Sequence, residues 1–206
     1  MLFRSAHAVA DAPGFGIAAG VGTHATATEH KDIDTFVAGG AVIDANGSVS
    51  IISRSRSRTD ADGNALTIGA GAIGTTNSEA EANGAVRARL LGSVVDGINL
   101  TIEAESYASA EADADSSSGG LLSGVGAHPQ ALITTTLSAS LDGSATVSGL
   151  LSITADSRAS ADADGNGLSI GAGALGAVRA TATVEPTVNA LIGSKATVST
   201  GSMARS

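Results

Sequence analysis

One segment of the chain is repeated without a gap, and that repeat limits the fold more than any other feature. VSIISRSRSRTDADGNALTIGAGAIG (Val49–Gly74) lies over LSITADSRASADADGNGLSIGAGALG (Leu151–Gly176), a separation of 102 residues. Halfway between them, LTIEAESYASAEADADSSSGGLLSGVG (Leu100–Gly126) follows at an offset of 51 through its first thirteen or so positions, then lengthens at Ser116–Gly119. A worn copy, RSAHAVADAPGFGIAAGVG (Arg4–Gly22), precedes them with small indels. The distal halves agree as well, from ATATEHKDIDTFVAGG through VRARLLGS and TTTLSASLDGSATVSG to ATATVEPTVNALIGSKATVSTG. A fixed period of this size is the mark of a repeat architecture. Residues 1–206 therefore read as a single repeat domain of about four units, approximately 1–48, 49–99, 100–149 and 150–201. The flanking MLFRS and GSMARS match no repeat position well, so the chain reads as a fragment of a longer protein.

Each unit opens on strict alternation. Leu100, Ile102, Ala104, Ser106, Ala108, Ala110, Ala112 and Ala114 alternate with Thr101, Glu103, Glu105, Tyr107, Ser109, Glu111, Asp113 and Asp115. This is the pattern of a strand with one face inside and one in water. A helix would place residues three and four apart on one face, mixing Ala with Asp and Glu. A turn is expected at Asp62-Gly63-Asn64 and at Asp164-Gly165-Asn166. A second short strand should follow, with Leu66, Ile68, Ala70 and Ala72 alternating with Thr67, Gly69 and Gly71. The glycine face implies close approach of another sheet, or a neighbouring turn folded over it. A third strand (Ala25–Thr28, Thr134–Leu137, Arg179–Val184) and a fourth apolar segment (Phe36–Gly39, Val188–Gly193) complete the unit.

Such a unit cannot bury its own inner face, but stacking units does so. The expected fold is all-β: a parallel β-helix, or β-solenoid, of about four coils with roughly 51 residues per coil. Strands paired ~4.8 Å apart would make four coils about 15–20 Å long. The chain holds 40 Ala and 27 Gly but only three Phe, one Tyr and no Trp, so inner positions filled by Ala imply a flattened cross-section. A stack of antiparallel hairpins uses the same strands with a different pairing.

Composition removes several functions. With no Cys there is no disulfide scaffold, Cys-zinc site or thiol nucleophile. A formal net charge of -9 without a basic patch argues against nucleic acid. No apolar run approaches the ~20 residues of a membrane helix, so membrane insertion is not expected. MLFRSAHAVADAPG has no sustained apolar stretch, so a signal peptide for an exported parent would lie outside this chain.

An offset of 51 predicts which outward residues meet. Arg54, Glu105 and Asp156 should form one row, and Arg56, Tyr107 and Arg158 another, with Tyr107 able to stack on either guanidinium. Asp60, Glu111 and Asp162 form an acidic row beside Asp62, Asp113 and Asp164. Like charges at ~4.8 Å repel by about 1 kcal/mol in water, and Ca²⁺ would relieve this. These six residues are the candidate metal ligands; the alternative is solvated turn acids. No other cofactor is expected. His7, His24, His30 and His128 have no metal-ligand spacing, and Glu29, Lys31, Asp32 and Asp34 read as an exposed loop. The Thr-bearing segments at Thr26, Thr28, Thr134–Thr136, Thr181 and Thr183 would stack as a flat strip of the kind that binds ice. No G-x-S-x-G elbow occurs, GAGAIG and GAGALG sit inside a strand repeat, and no catalytic constellation stands out.

Through LxIxAxSxAxADADGNGLxIGAGAxG and ATATVEPTVNALIG, the chain resembles the Ala/Gly/Thr-rich strand repeats of very large secreted bacterial surface proteins. These are the filamentous-haemagglutinin-like adhesins and related autotransporter passengers. The resemblance covers nearly the whole chain and implies a parallel β-helix serving as stalk or fibre at the cell surface, without site residues. The expected function is a structural repeat module (stalk, spacer or matrix fibre), not an enzyme. Its partners would be further repeats of the parent chain or end-to-end copies, with glycans or surfaces as further candidates. The alternative is a module binding Ca²⁺, polysaccharide or ice on a solenoid face. A glycan-active β-helix enzyme comes third, with Arg54, Arg56 and Arg58 beside Glu103 and Glu105 as its only plausible place.

Overall fold

A computed structural model describes residues 2–200, and every regular element among them is a strand. Coil 1 contains β1 (Leu2–Phe15), β2 (Ala18–Val37) and β3 (Val42–Asp44). Coil 2 contains β4 (Val49–Ile68), β5 (Gly71–Leu90) and β6 (Ser93–Gly97). Coil 3 contains β7 (Leu100–Gly119), β8 (Leu122–Leu141) and β9 (Ser144–Val147). In coil 4, β10 (Leu151–Ile170) leads into a second side broken into β11 (Gly173–Val178), β12 (Thr181–Val184) and β13 (Thr187–Ile192), and β14 (Thr197–Thr200) closes it.

All pairing is parallel and runs from coil to coil. The first sheet has the order β1-β4-β7-β10, and the second runs β2-β5-β8 and on to the three pieces of coil 4. The short third sheet is β3-β6-β9-β14. Ile51 pairs with Ile102 and Ile102 with Ile153, so residues 51 apart are neighbours. The fold is a parallel β-solenoid of about four coils, and the antiparallel hairpin stack is excluded. Coil 1 is joined to coil 2 at an offset of 53 along both long strands, as in His7 with Asp60. At β3 the offset returns to 51, with Val42 opposite Ser93.

The cross-section is two long sides and a short closing edge. At ~3.3 Å per residue a strand of 20 residues spans about 65 Å, so each coil is a flattened loop rather than a round one. Between the long sides lie two cores of different character. Near the third sheet, Ile51, Leu90, Val94, Leu100, Ile102, Leu137 and Leu141 form an aliphatic cluster. Along the middle, Ala61, Ala80, Ala82, Ala110, Ala112 and Ala131 fill the space, with Ile133 as the large exception. Alanine fits there because the sheets lie too close for more.

The strand assignment needs three corrections. No turn forms at Asp62-Gly63-Asn64 or Asp164-Gly165-Asn166, since β4 and β10 run straight through. Gly63 points inward, where an added Cβ would lie 2.6 Å from Thr76 Cγ2 and 2.7 Å from Ser78 Oγ. The glycine permits sheet contact rather than chain reversal. Because the alternation is never interrupted, Thr67 is buried while Leu66 and Ile68 face solvent. The second short strand is cut by the corner, with Leu66–Ile68 ending β4 and Gly71 and Ala72 opening β5. The third and fourth of coil 1 fall in one long strand, β2, whereas those of coil 4 stay separate as β12 and β13.

The true corner lies at Gly69, Gly120 and Gly171. A Cβ on each would run into the carbonyl oxygen of the corner residue one coil before: Gly16, Gly69 and Gly120. This row explains part of the glycine face. MLFRS also has a place, because Leu2–Ser5 pair with Ser55–Arg58. Met1 and residues 201–206, including GSMARS, lie outside the described residues.

Candidate functional site

The outward rows of β4, β7 and β10 carry most of the ionisable chemistry. Arg54 bridges two carboxylates, with Nη2 2.8 Å from Glu103 Oε1 and Nε 2.9 Å from Glu105 Oε2. Tyr107 lies between two guanidiniums from the coils on either side, Arg56 at 5.3 Å and Arg158 at 5.2 Å from the ring centroid. Its hydroxyl donates to Glu105 Oε1 at 2.5 Å, which raises the phenol pKa above its ordinary value. Arg58 Nη2 lies 3.1 Å from Glu111 Oε2 and 3.7 Å from Asp60 Oδ2. The patch singled out for glycan chemistry is thus a network in which Arg54 and Arg58 are already held by carboxylates.

The acidic rows stand next along the same face. Asp60, Glu111 and Asp162 share one row and Asp62, Asp113 and Asp164 the next, so strand pairing brings all six candidate ligands together. Asp113 is the centre of the group. Burial pushes its carboxyl up to about 6, helped by the negative charges of Asp62, Glu111, Asp164 and Asp60. Beside it, Asp62, Asp113, Asp115 and Asp164 line a shallow groove of about 420 Å³ with Asn64 and Asn166.

Coil 1 adds a residue that the sequence reading set aside. His7 Nδ1 lies 3.5 Å from Asp60 Oδ2. Among the described residues, His7, Asp60 and Asp62 bring three donor atoms within 4.8 Å of one another. An imidazole with two carboxylates matches nitrogen-accepting transition ions, whereas Ca²⁺ takes six to eight oxygens. Carboxylates on one side of a flat sheet would supply only part of that shell, leaving the rest to water. The missed signal was the 53-residue offset of coil 1, hidden in the worn first copy.

Two further expectations change. Glu29–Asp34 is not an exposed loop but part of β2, and its inward members are buried: Glu29 and Lys31 are each 6% exposed. Lys31 Nζ lies 3.1 Å from Glu29 Oε1 and donates to the Arg56 carbonyl at 2.7 Å. The pairing stands where coil 2 has Ala82 and Gly84. The threonine segments do not stack as a strip either. Thr26 shares its row with Glu79, Gln130 and Thr181, and Thr134 sits beside Asn83, because the segments fall at different distances from the corner.

A second surface has no counterpart in the sequence reading. At the corner between the long sheets, Ile17 is 88% and Leu175 79% exposed, with Phe15, Ile73, Leu121, Leu122 and Ile170 also open to solvent. A groove of about 900 Å³ runs across the coils there, floored by Gly20, Gly71, Gly124 and Gly173 and walled by Ile73, Leu122 and Leu175. The unbroken parity that turns Leu66 and Ile68 outward also builds this apolar edge.

No family model matches the chain, and no curated protein or solved structure matches it. The geometry is therefore the main support for a functional reading.

Proposed function

We propose that the chain is a structural repeat module, a stalk, spacer or fibre segment of an extracellular bacterial adhesin-like protein, acting without catalysis. The observation carrying this reading is that the coil-to-coil register of coils 2, 3 and 4 is kept through the first two sheets. A unit built this way extends along one axis by adding more of itself. On the first sheet the inner row is better closed where a coil has neighbours on both sides: Ile102 is fully buried, whereas Ile153 in coil 4 is partly open. Each coil is completed by the next, as expected of a quasi-one-dimensional scaffold.

Duplicating residues 49–150 in tandem tests the modular claim. The longer protein should unfold in one cooperative transition, and its axis should lengthen by about 10 Å, two strand spacings, in small-angle scattering. A duplicate that fails to fold, or one that folds without lengthening, overturns it. The surface location has its own test: antibodies against the chain should label intact producing cells. Labelling only after permeabilisation overturns that part.

The cation-binding reading keeps one observation in its favour: burial, helped by the neighbouring carboxylates, holds a proton on Asp113 up to about pH 6.

A further inference from the structure

Coils 1 and 4 each leave a full set of strand edges without a neighbour among the described residues. From what those edges present to each other, we propose that a second copy of this chain stacks its coil 1 on coil 4 of the first, in the register that continues every row, giving open head-to-tail assembly. The proposal rests on the modular reading above and names the partner that reading leaves open.

The alanine rows of the first sheet pass through such a joint without a change of size. Ala6 belongs to the row of Thr59, Ala110 and Ala161, so the incoming Ala6 would meet Ala161. By the same count Ala8 would meet Ala163. These alanines lie at the margin of the alanine core and are only partly buried now. On the second sheet, Phe36 and Val37 share rows with Leu191 and Ile192, all apolar and all incompletely covered. Closing the joint removes them from water.

The outer rows are complementary in hydrogen bonding. His7 falls in the row of Asp162, and Asp11 in the row of Asn166. Both pairings already exist inside the chain, where His7 meets Asp60 and Asn64 Nδ2 donates to Asp11 Oδ1 at 2.8 Å. They recur because the DADGN string of coil 2 is repeated without a gap in coil 4. Coil 1 thus meets at the joint the residues it meets within its own molecule, on the opposite edge of the strand. On the second sheet His30 continues the row toward Glu185, whose amide donates to the Ile133 carbonyl, and Asp34 falls in the row of Asn189. Four rows contribute no attraction: His24 toward Arg179, Val9 toward Asp164, and the inward Glu29 and Lys31 toward Val184 and Pro186.

Charge reversal on coil 4 separates the joint from folding. Asp162 is exposed, and Asp162→Lys places a cation beside Glu111 within the chain but faces it toward the incoming His7. Glu185→Lys does the same toward His30. Sedimentation of the wild type should show mass rising with concentration through successive multiples, without a plateau at the dimer. Each reversal should raise the half-assembly concentration about five- to tenfold, and the double variant should stay monomeric with its melting midpoint within about 2 °C of wild type. Mixed with wild type, the double variant keeps a working coil 1 and should cap and shorten the assemblies. A wild type that stays monomeric at millimolar concentration, a plateau at the dimer, or a double variant that still grows each overturns the proposal. A monomeric wild type whose tandem duplicate lengthens normally would sink this contact and leave the modular reading standing.

Discussion

The aliphatic end and the alanine middle share the same strands, the same register and the same two sheets, yet they hold the coils together in different ways. Near the third sheet, side chains such as Ile102 and Leu137 bury large areas and touch many partners. In the middle, Ala61, Ala110 and Ala112 bury little each, and contact there depends on the sheets lying close. Side-chain size sets the local gap between the sheets. The aliphatic end should be sensitive to loss of volume and the middle to gain of it.

The largest expected effect tests the first half of that contrast. Ile102→Ala empties a fully buried position in the aliphatic cluster and should lower stability by about 2–5 kcal/mol in urea unfolding. A loss under about 1 kcal/mol would show that this end does not anchor the coils. Next, Ala112→Leu adds volume where there is none to spare and should lower stability by about 1–3 kcal/mol. A neutral or stabilising result would break the comparison, since it would mean the middle can widen. Gly63→Ala brings a methyl against Thr76 and should lower stability by about 1–2 kcal/mol, with Thr76→Ser recovering part of it in a double-mutant cycle. Additive losses would remove the close-contact explanation.

The smallest effect lies on the outside of the alanine strand. The Asp113 carboxyl is raised in the folded protein, so the folded state holds its proton to higher pH than the unfolded chain does. Stability from this group is full below about pH 4 and falls as pH rises toward 6. Asp113→Asn should flatten that slope and raise stability at pH 7, by less than about 1 kcal/mol because the group is only partly buried, with a matching rise in the melting midpoint. Millimolar Ca²⁺ sharpens the result: a cation held by these rows must raise the wild-type midpoint and leave the Asn variant unmoved.

The coil register was legible because Val49–Gly74 and Leu151–Gly176 align without a gap, and register fixes neighbours. It placed Arg54 beside Glu105, Tyr107 between two arginines, and the six acids in two rows. What failed was the reading of residue types whose usual meaning did not apply. Asp-Gly-Asn ordinarily marks a turn, but Gly63 is there for the facing sheet, and without a turn the strand runs on with Leu66 and Ile68 on its outer face. The apolar corner follows from that run, which the alternation alone did not reveal. Glu29 and Lys31 read as solvent-facing because charge usually is, whereas burial as a pair inside coil 1 cannot be seen from one strand alone. His7 was missed because two extra residues shift coil 1 against its neighbour.

The wedged ring of Tyr107 has a practical consequence. It is the sole tyrosine in a chain without tryptophan, and cations from the coils before and after it grip both faces. Ultraviolet emission at tyrosine wavelengths therefore comes from one spot spanning three turns of the backbone. Should those turns part, the glow changes there first, so the molecule carries its own strain gauge.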